Sequence, residues 1–190
     1  MQKFEYKGKT YIKIKQDWYS EIGQKLPLKL AVELDAEFHA EIVKNEENIV
    51  VLMDQTRRYM DIGNNPKAYD SIVEALNLAQ QRQEVQLIPN IIARYVLVMK
   101  ALHKQQQAID TLLQVRIKLP ELLENPMVET NLAQLYLDVN QPDSAILAAT
   151  NANEYFKKAK KKMSDDLMIL WSNIKKQYPD QYKQYRDNHK

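Results

Sequence analysis

NPMVETNLAQLYLDVNQPDSAILAATNANEYF, residues 125–156, is the stretch whose reading decides the fold. Asn125 reads as an N-cap and Pro126 as the first helical residue, where a missing N–H costs nothing. Val128, Leu132, Leu135 and Val139 then recur at helical spacing until Asn140-Gln141-Pro142 breaks the run. A second helix starts there and carries Ala145, Ala148, Ala149 and Ala152 along one side. Small side chains at that spacing let two antiparallel helices approach closely, so the stretch predicts a helix hairpin.

The pattern recurs along the chain. YMDIGNNPKA at 59–68 echoes YLDVNQPDSA at 136–145, with tyrosine, aspartate and alanine in register. Met99 and Ala108 keep the same separation, Tyr95 stands four residues before Met99, and Pro120 lies twelve residues after Ala108. With Leu132-Ala133-x-x-Tyr136 followed by Ala145, this resembles the tetratricopeptide repeat (TPR), whose pattern is Leu-Gly-x-x-Tyr and then Ala. The alanines at 68, 108 and 145 are 40 and 37 residues apart, longer than the family's repeat of about 34. Leu52, Ile92 and Glu129 stand where the family carries tryptophan.

The resemblance covers residues 46–162 and implies three repeats, 46–85, 86–124 and 125–162. It implies an all-α fold, a short right-handed superhelix of stacked antiparallel hairpins, each covering its neighbour's apolar face. In the family the first helix of each hairpin lines a concave groove that binds other proteins. Carried over by register, the groove residues are Met53, Arg57, Met60 and Asp61 from the first repeat, Arg94, Leu97 and Lys100 from the second, and Met127, Gln134, Leu137 and Asp138 from the third. Flexible thioethers at 53, 60 and 127 suit an apolar peptide. Met53 and Met127 replace the lysines of the family's carboxylate-clamp subtype, and Arg57 its asparagine. Capture of a C-terminal acid is therefore not expected.

Outside the repeats, Phe4-Glu-Tyr6 and Tyr11-Ile-Lys-Ile-Lys15 alternate apolar with charged residues around Lys7-Gly8-Lys9, a β-hairpin signature. Such a hairpin is marginal alone, and Asp17-Trp18-Tyr19 is the expected anchor. Leu28, Leu30, Val32 and Leu34 alternate as in a strand, while Leu30, Leu34, Phe38 and Ile42 keep a helical step. The lack of glycine or proline as far as residue 62 favours a helix over about 28–44. Residues 1–45 thus read as a hairpin plus capping helix, and 163–190 as a capping helix, started by Ser164-Asp165-Asp166, with a basic tail.

Composition excludes several chemistries. Three glycines, at 8, 23 and 63, leave no phosphate-cradling loop, and the absence of cysteine removes disulfides, thiolate metal sites and cysteine nucleophiles. His39, His103 and His189 fall in no metal-ligand pattern, and each reads as a solvated side chain. Asp61 and Asp138 read as solvated or groove-lining carboxylates. No enzyme, cofactor or metal site is expected. No secretory leader or membrane span is visible, so a cytoplasmic location is expected.

The net charge of +2 hides a segregation: residues 1–25 carry +3, residues 26–156 carry −7, and residues 157–190 carry +6. Lys157-Lys-Ala-Lys-Lys-Lys162 reads either as a phosphate or membrane grip or as cations at a helix C-terminus. Tyr178, Tyr182 and Tyr185 read either as stacking platforms for bases or as one packed helix face. The leading expectation is a protein-interaction adaptor with a peptide or helix of another protein as partner and no specific nucleic acid. The alternatives are a homo-oligomer assembled through basic ends, acidic middle and hairpin edge, and a peptide-sensing regulatory protein whose effector part is missing.

Overall fold

A computed structural model describes residues 2–43, 48–122 and 125–188. The chain forms two compact units, residues 1–78 and 79–190.

In the first unit, strands β1 (Gln2–Tyr6), β2 (Lys9–Ile14) and β3 (Asp17–Ser20) form an antiparallel sheet in that order. The expected hairpin is therefore a three-stranded meander. The segment read as its anchor is itself a strand, too short at four residues for alternation to show. Lys7 (φ 48) and Gly8 (φ 72) make the first turn, with both central residues at positive φ as a type I′ hairpin requires. Helix α1 (Leu28–Val43) lies against β3 and settles the ambiguous stretch as helix. Its four-residue step turns Leu30, Leu34 and Phe38 toward Phe4 and Trp18. Phe38 meets both rings edge-on at 5.5 Å, a favourable geometry for aromatic pairs. The indole Nε1 of buried Trp18 donates to Asp35 Oδ1 at 2.8 Å, and Lys13 pairs with the same carboxylate.

Helix α2 (Ile49–Asp61) is capped by Asn48, whose side chain accepts from the Val50 amide. Gln55 on its buried face donates to the Ala36 carbonyl of α1 at 2.7 Å. A tight turn at Gly63 (φ 72) leads into α3 (Asn65–Gln81).

The second unit is helical throughout its described residues. Helices α4 (Ile88–Ala101) and α5 (Gln105–Lys118) form one hairpin, and α6 (Pro126–Asp138) and α7 (Pro142–Lys158) the next. Helix α6 packs against both α4 and α5, which is the stacking of one hairpin on another. Ile88, Ile91, Ile92, Tyr95, Val96, Val98 and Met99 of α4 are all buried, each large side chain contributing about 1.5–3 kcal/mol by leaving water. Helices α8 (Asp165–Gln177) and α9 (Pro179–Asn188) complete the unit, α8 lying on α6 and α7. The chain is thus an all-α, TPR-like protein of helix hairpins carrying a small antiparallel sheet.

The echoed residues share one geometry. Gly63, His103 and Asn140 all sit at positive φ just past a first helix. Around them, Asn64 N–H donates to Tyr59 O, Lys104 N–H to Met99 O and Gln141 N–H to Tyr136 O, each at 2.8–2.9 Å. These are Schellman closures, which satisfy the last carbonyls of a helix. Ala68, Ala108 and Ala145 follow five residues after each left-handed residue and have no exposed surface.

Candidate functional site

The candidate groove residues of α2 belong to the first unit. Arg57 is held within its own helix, with Nη2 2.9 Å from Asp54 Oδ1 and Nη1 3.9 Å from Asp61 Oδ2. Arg58 also grips Asp54 at 2.8 Å. Burial pushes the Asp54 carboxyl up, but the hydrogen bonds from Arg58 and Arg57 outweigh it and hold the group below its ordinary value. Met53 and Met60 are half-buried on this helix.

In the second unit the α4 and α6 candidates converge. Lys100 Nζ lies 2.8 Å from Asp138 Oδ2, and Gln134 Nε2 donates to Asp138 Oδ1 at 3.1 Å. This ties the C-terminal turns of the two first helices together. Beside that link, Leu97 of α4 is 56% exposed, an apolar side chain open to solvent. Arg94, one turn earlier, is half-buried, whereas Leu137 gives its side chain to the core. Met127, 41% exposed, opens a small pocket of about 210 Å³ with Asn131, Phe156 and Asp166. The result is a mixed strip: an exposed apolar residue on each of two helices, whose C-terminal turns are joined by one ion pair and an amide.

No family model matches the chain, and no curated protein matches it. Solved structures do align, one of them at the following level. It is described as the functional characterization of Pseudomonas aeruginosa pilF, at 15% identity and a TM-score of 0.49, covering 84% of this chain and 76% of that one. The assignment of the fold rests on the helix packing and turn geometry described above.

Sequence reasoning missed a cleft of about 790 Å³ within the first unit, lined by Tyr6, Leu28, Val32, Glu33, Glu37 and Asp61 among others. Tyr6 Oη donates to Glu33 Oε1 at 2.6 Å, Lys7 Nζ reaches the same oxygen at 2.8 Å, and Lys67 Nζ holds Glu37 at 2.6 Å. Hydrogen bonds from Lys7 and Tyr6 keep Glu33 below its ordinary value. Each acid is thus already neutralised by a neighbour. The i,i+4 spacing of Glu33 and Glu37 was visible in the sequence, but their partners lie more than twenty residues away.

Glu129, standing at the family's tryptophan position, is fully buried. Arg116 Nε approaches its Oε1 at 3.2 Å, close enough for ion pairing though the N–H is not aimed for a hydrogen bond, and Asn151 donates to Oε2 at 3.1 Å. Burial raises the Glu129 carboxyl above its ordinary value against the opposing pull of Arg116 and Asn151. With no surface of the carboxylate open to solvent, this is a structural ion pair. Among the described residues no three metal-binding side chains cluster. His103 serves as a turn residue, the side chain of His39 is outside the described ones, and His189 lies outside the described residues.

The basic C-terminal segment is also explained locally. Lys157 and Lys158 occupy the last turn of α7, where cations suit the helix dipole. Tyr185 stacks on Trp171 at 5.0 Å, Tyr182 meets the same ring edge-on at 6.1 Å, and Tyr178 Oη donates to Asn140 Oδ1 at 2.8 Å. All three tyrosines are half-buried in these contacts.

No helix among the described residues is long and apolar enough to cross a membrane.

Proposed function

We propose that the protein is a non-enzymatic adaptor that binds a peptide or amphipathic helix of another protein along the face of the first helices of its hairpins. In this reading the repeats span 46–85, 86–124 and 125–162, with 1–45 and 163–190 as caps. The observation that carries it is the strip on α4 and α6, where Leu97 and Met127 are exposed and each precedes, in its own helix, the residue that makes the Lys100–Asp138 tie. Exposed apolar anchors set among satisfied polar groups are what a docking helix needs: the anchors supply desolvation energy, and the polar groups fix register. Arg57, Met53, Met60 and Asp61 hold the equivalent positions on α2.

The test uses the full chain as bait in lysate of its source, beside Leu97→Ser and the double Arg57→Ala, Arg94→Ala variant. Recovered proteins are identified by mass spectrometry and helical content is followed by circular dichroism. Partners recovered by the native chain and lost from both variants, with helicity unchanged, are expected. The same partners on all three baits would sink the assignment of this face.

A further inference from the structure

The sheet of the first unit has two edges, and they are not alike. The β3 edge is covered: Leu26 N–H donates to Trp18 O at 2.9 Å, and Tyr19 bridges to Lys25. The β1 edge is paired with nothing among the described residues. An unpaired edge offers a row of backbone donors and acceptors to any strand that fits.

Which groups it offers follows from the turn. In a two-residue hairpin the residues flanking the loop exchange both backbone bonds, and bonded pairs then alternate. Tyr6↔Lys9, Phe4↔Tyr11 and Gln2↔Lys13 are therefore the bonded pairs, and the N–H and C=O groups of Lys3 and Glu5 point away from β2. Lys3 and Glu5 are also exposed, on the face of the sheet opposite buried Phe4. The outward backbone groups and the outward charges thus belong to the same two residues.

We propose that this edge binds a second copy of the same chain, β1 against β1, antiparallel and centred on Phe4. Pairing must set outward-pointing residues opposite one another, and three antiparallel registers of Lys3 and Glu5 do so. Two of them oppose Lys3 to Lys3 or Glu5 to Glu5. The third opposes Lys3 of each copy to Glu5 of the other, twice by symmetry, with four backbone hydrogen bonds and the two Phe4 residues facing. Opposite charges directly across a strand pair are favourable and like charges are not, so the strand is self-complementary in one register. A lysine on an edge strand ordinarily discourages pairing; Glu5, two residues on, converts that deterrent into a match. The join yields one six-stranded sheet across a two-fold axis. It is a weak dimer, because five residues of edge bury far less than a standard interface.

Sedimentation equilibrium over a concentration series tests this on the native chain, K3E, E5K, the double exchange K3E/E5K, and an equimolar mixture of the two single variants. The native chain is expected to dimerise. Each single variant opposes like charges and should dissociate more readily by on the order of tenfold. The double exchange and the mixture restore both opposite-charge pairs and should restore the dimer. A native chain still monomeric at about several hundred micromolar overturns the proposal. So does a dimer indifferent to the single exchanges, as association of the basic C-terminal segment with the acidic middle would be, or one that the double exchange fails to rescue while circular dichroism is unchanged. Both residues lie outside the α4–α6 strip, so failure here leaves the adaptor reading standing.

Discussion

Arg116 of α5 brings its guanidinium to within 3.2 Å of the Glu129 carboxylate of α6, and that carboxylate has no exposed surface. The pair sets two opposite charges where the hairpin of α4 and α5 meets that of α6 and α7. Removing one partner of a buried pair leaves the other uncompensated, at a cost of about 3–5 kcal/mol, so Arg116→Met should be strongly destabilising. The cost depends on pH. Glu129 is already held above its ordinary value of 4.5, so it contributes stability that is full below that value and lost as pH rises through the raised one. Without Arg116 the carboxyl moves higher still. Denaturation at about pH 5 and about pH 8 should therefore show a larger deficit for the variant at the higher pH. Equal deficits would mean that Arg116 acts through packing alone. Pairing Arg116→Met with Glu129→Leu should recover most of the loss.

Trp18 separates packing from hydrogen bonding in the first unit. Trp18→Ala removes the largest buried side chain of its cluster and should cost about 3–5 kcal/mol. Trp18→Phe keeps most of the volume and forfeits the bond to Asp35, about 1 kcal/mol, while Lys13 still holds that carboxylate. Urea titration followed by far-ultraviolet circular dichroism distinguishes the two; equal losses would mean the indole bond dominates.

Glu33 should titrate below the ordinary glutamate value of 4.5 in carbon-detected nuclear magnetic resonance. Its folded value is depressed, so its contribution is present above 4.5 and lost as pH falls through the lower value. The effect on stability is small because the site is solvent-screened. Tyr6→Phe combined with Lys7→Ala should bring the titration back toward 4.5; an unchanged curve would show that these two bonds do not persist in solution.

His103 occupies a left-handed conformation at φ 57, where glycine alone is unstrained. His103→Gly should stabilise the protein by about 0.5–1 kcal/mol, the relief of strain less the added backbone entropy of the unfolded chain. A lowered melting temperature would show that the imidazole makes a contribution exceeding the strain.

The +6 charge of residues 157–190 should attract nucleic acid only weakly, no tighter than about micromolar at physiological salt. With Tyr182 and Tyr185 packed on Trp171, the stacking platform that would raise affinity is already occupied. Fluorescence anisotropy with a short single strand and a short duplex measures it. Nanomolar binding that survives elevated salt would overturn the adaptor reading as well.

The helices were legible because their signals are local: Pro126 and Pro142 at first turns, Asn125 and Ser164 as caps, and apolar residues at periods of three and four. Strand β3 was not, since four residues carry too little alternation and Lys15-Gln16 is no standard turn pair. The Arg116–Glu129 pair, the Tyr6–Glu33 bond and the Lys100–Asp138 tie were beyond reach for one reason. Each joins two different elements, and no periodicity within either element encodes its partner. Glu129 did leave a trace, as a charge where the repeat pattern calls for an aromatic; what it lacked was any mark of Arg116.

Each Schellman closure binds a first helix to its second without slack, from the accepting carbonyl of Tyr59, Met99 or Tyr136 to the buried alanine nine residues later. The interval between closures is looser: Gly63, His103 and Asn140 are 40 and 37 residues apart, and the second helices α3 and α5 have 17 and 14 residues. Length has thus been free to vary in the second helices and the links after them, and not across the turn that joins a first helix to its second. For anyone grafting a fluorophore tag or an affinity epitope into this chain, a permissive seam lies just after Lys162, exposed and in no helix, between α7 and α8. A single residue spliced into 102–104 would unlatch a hairpin.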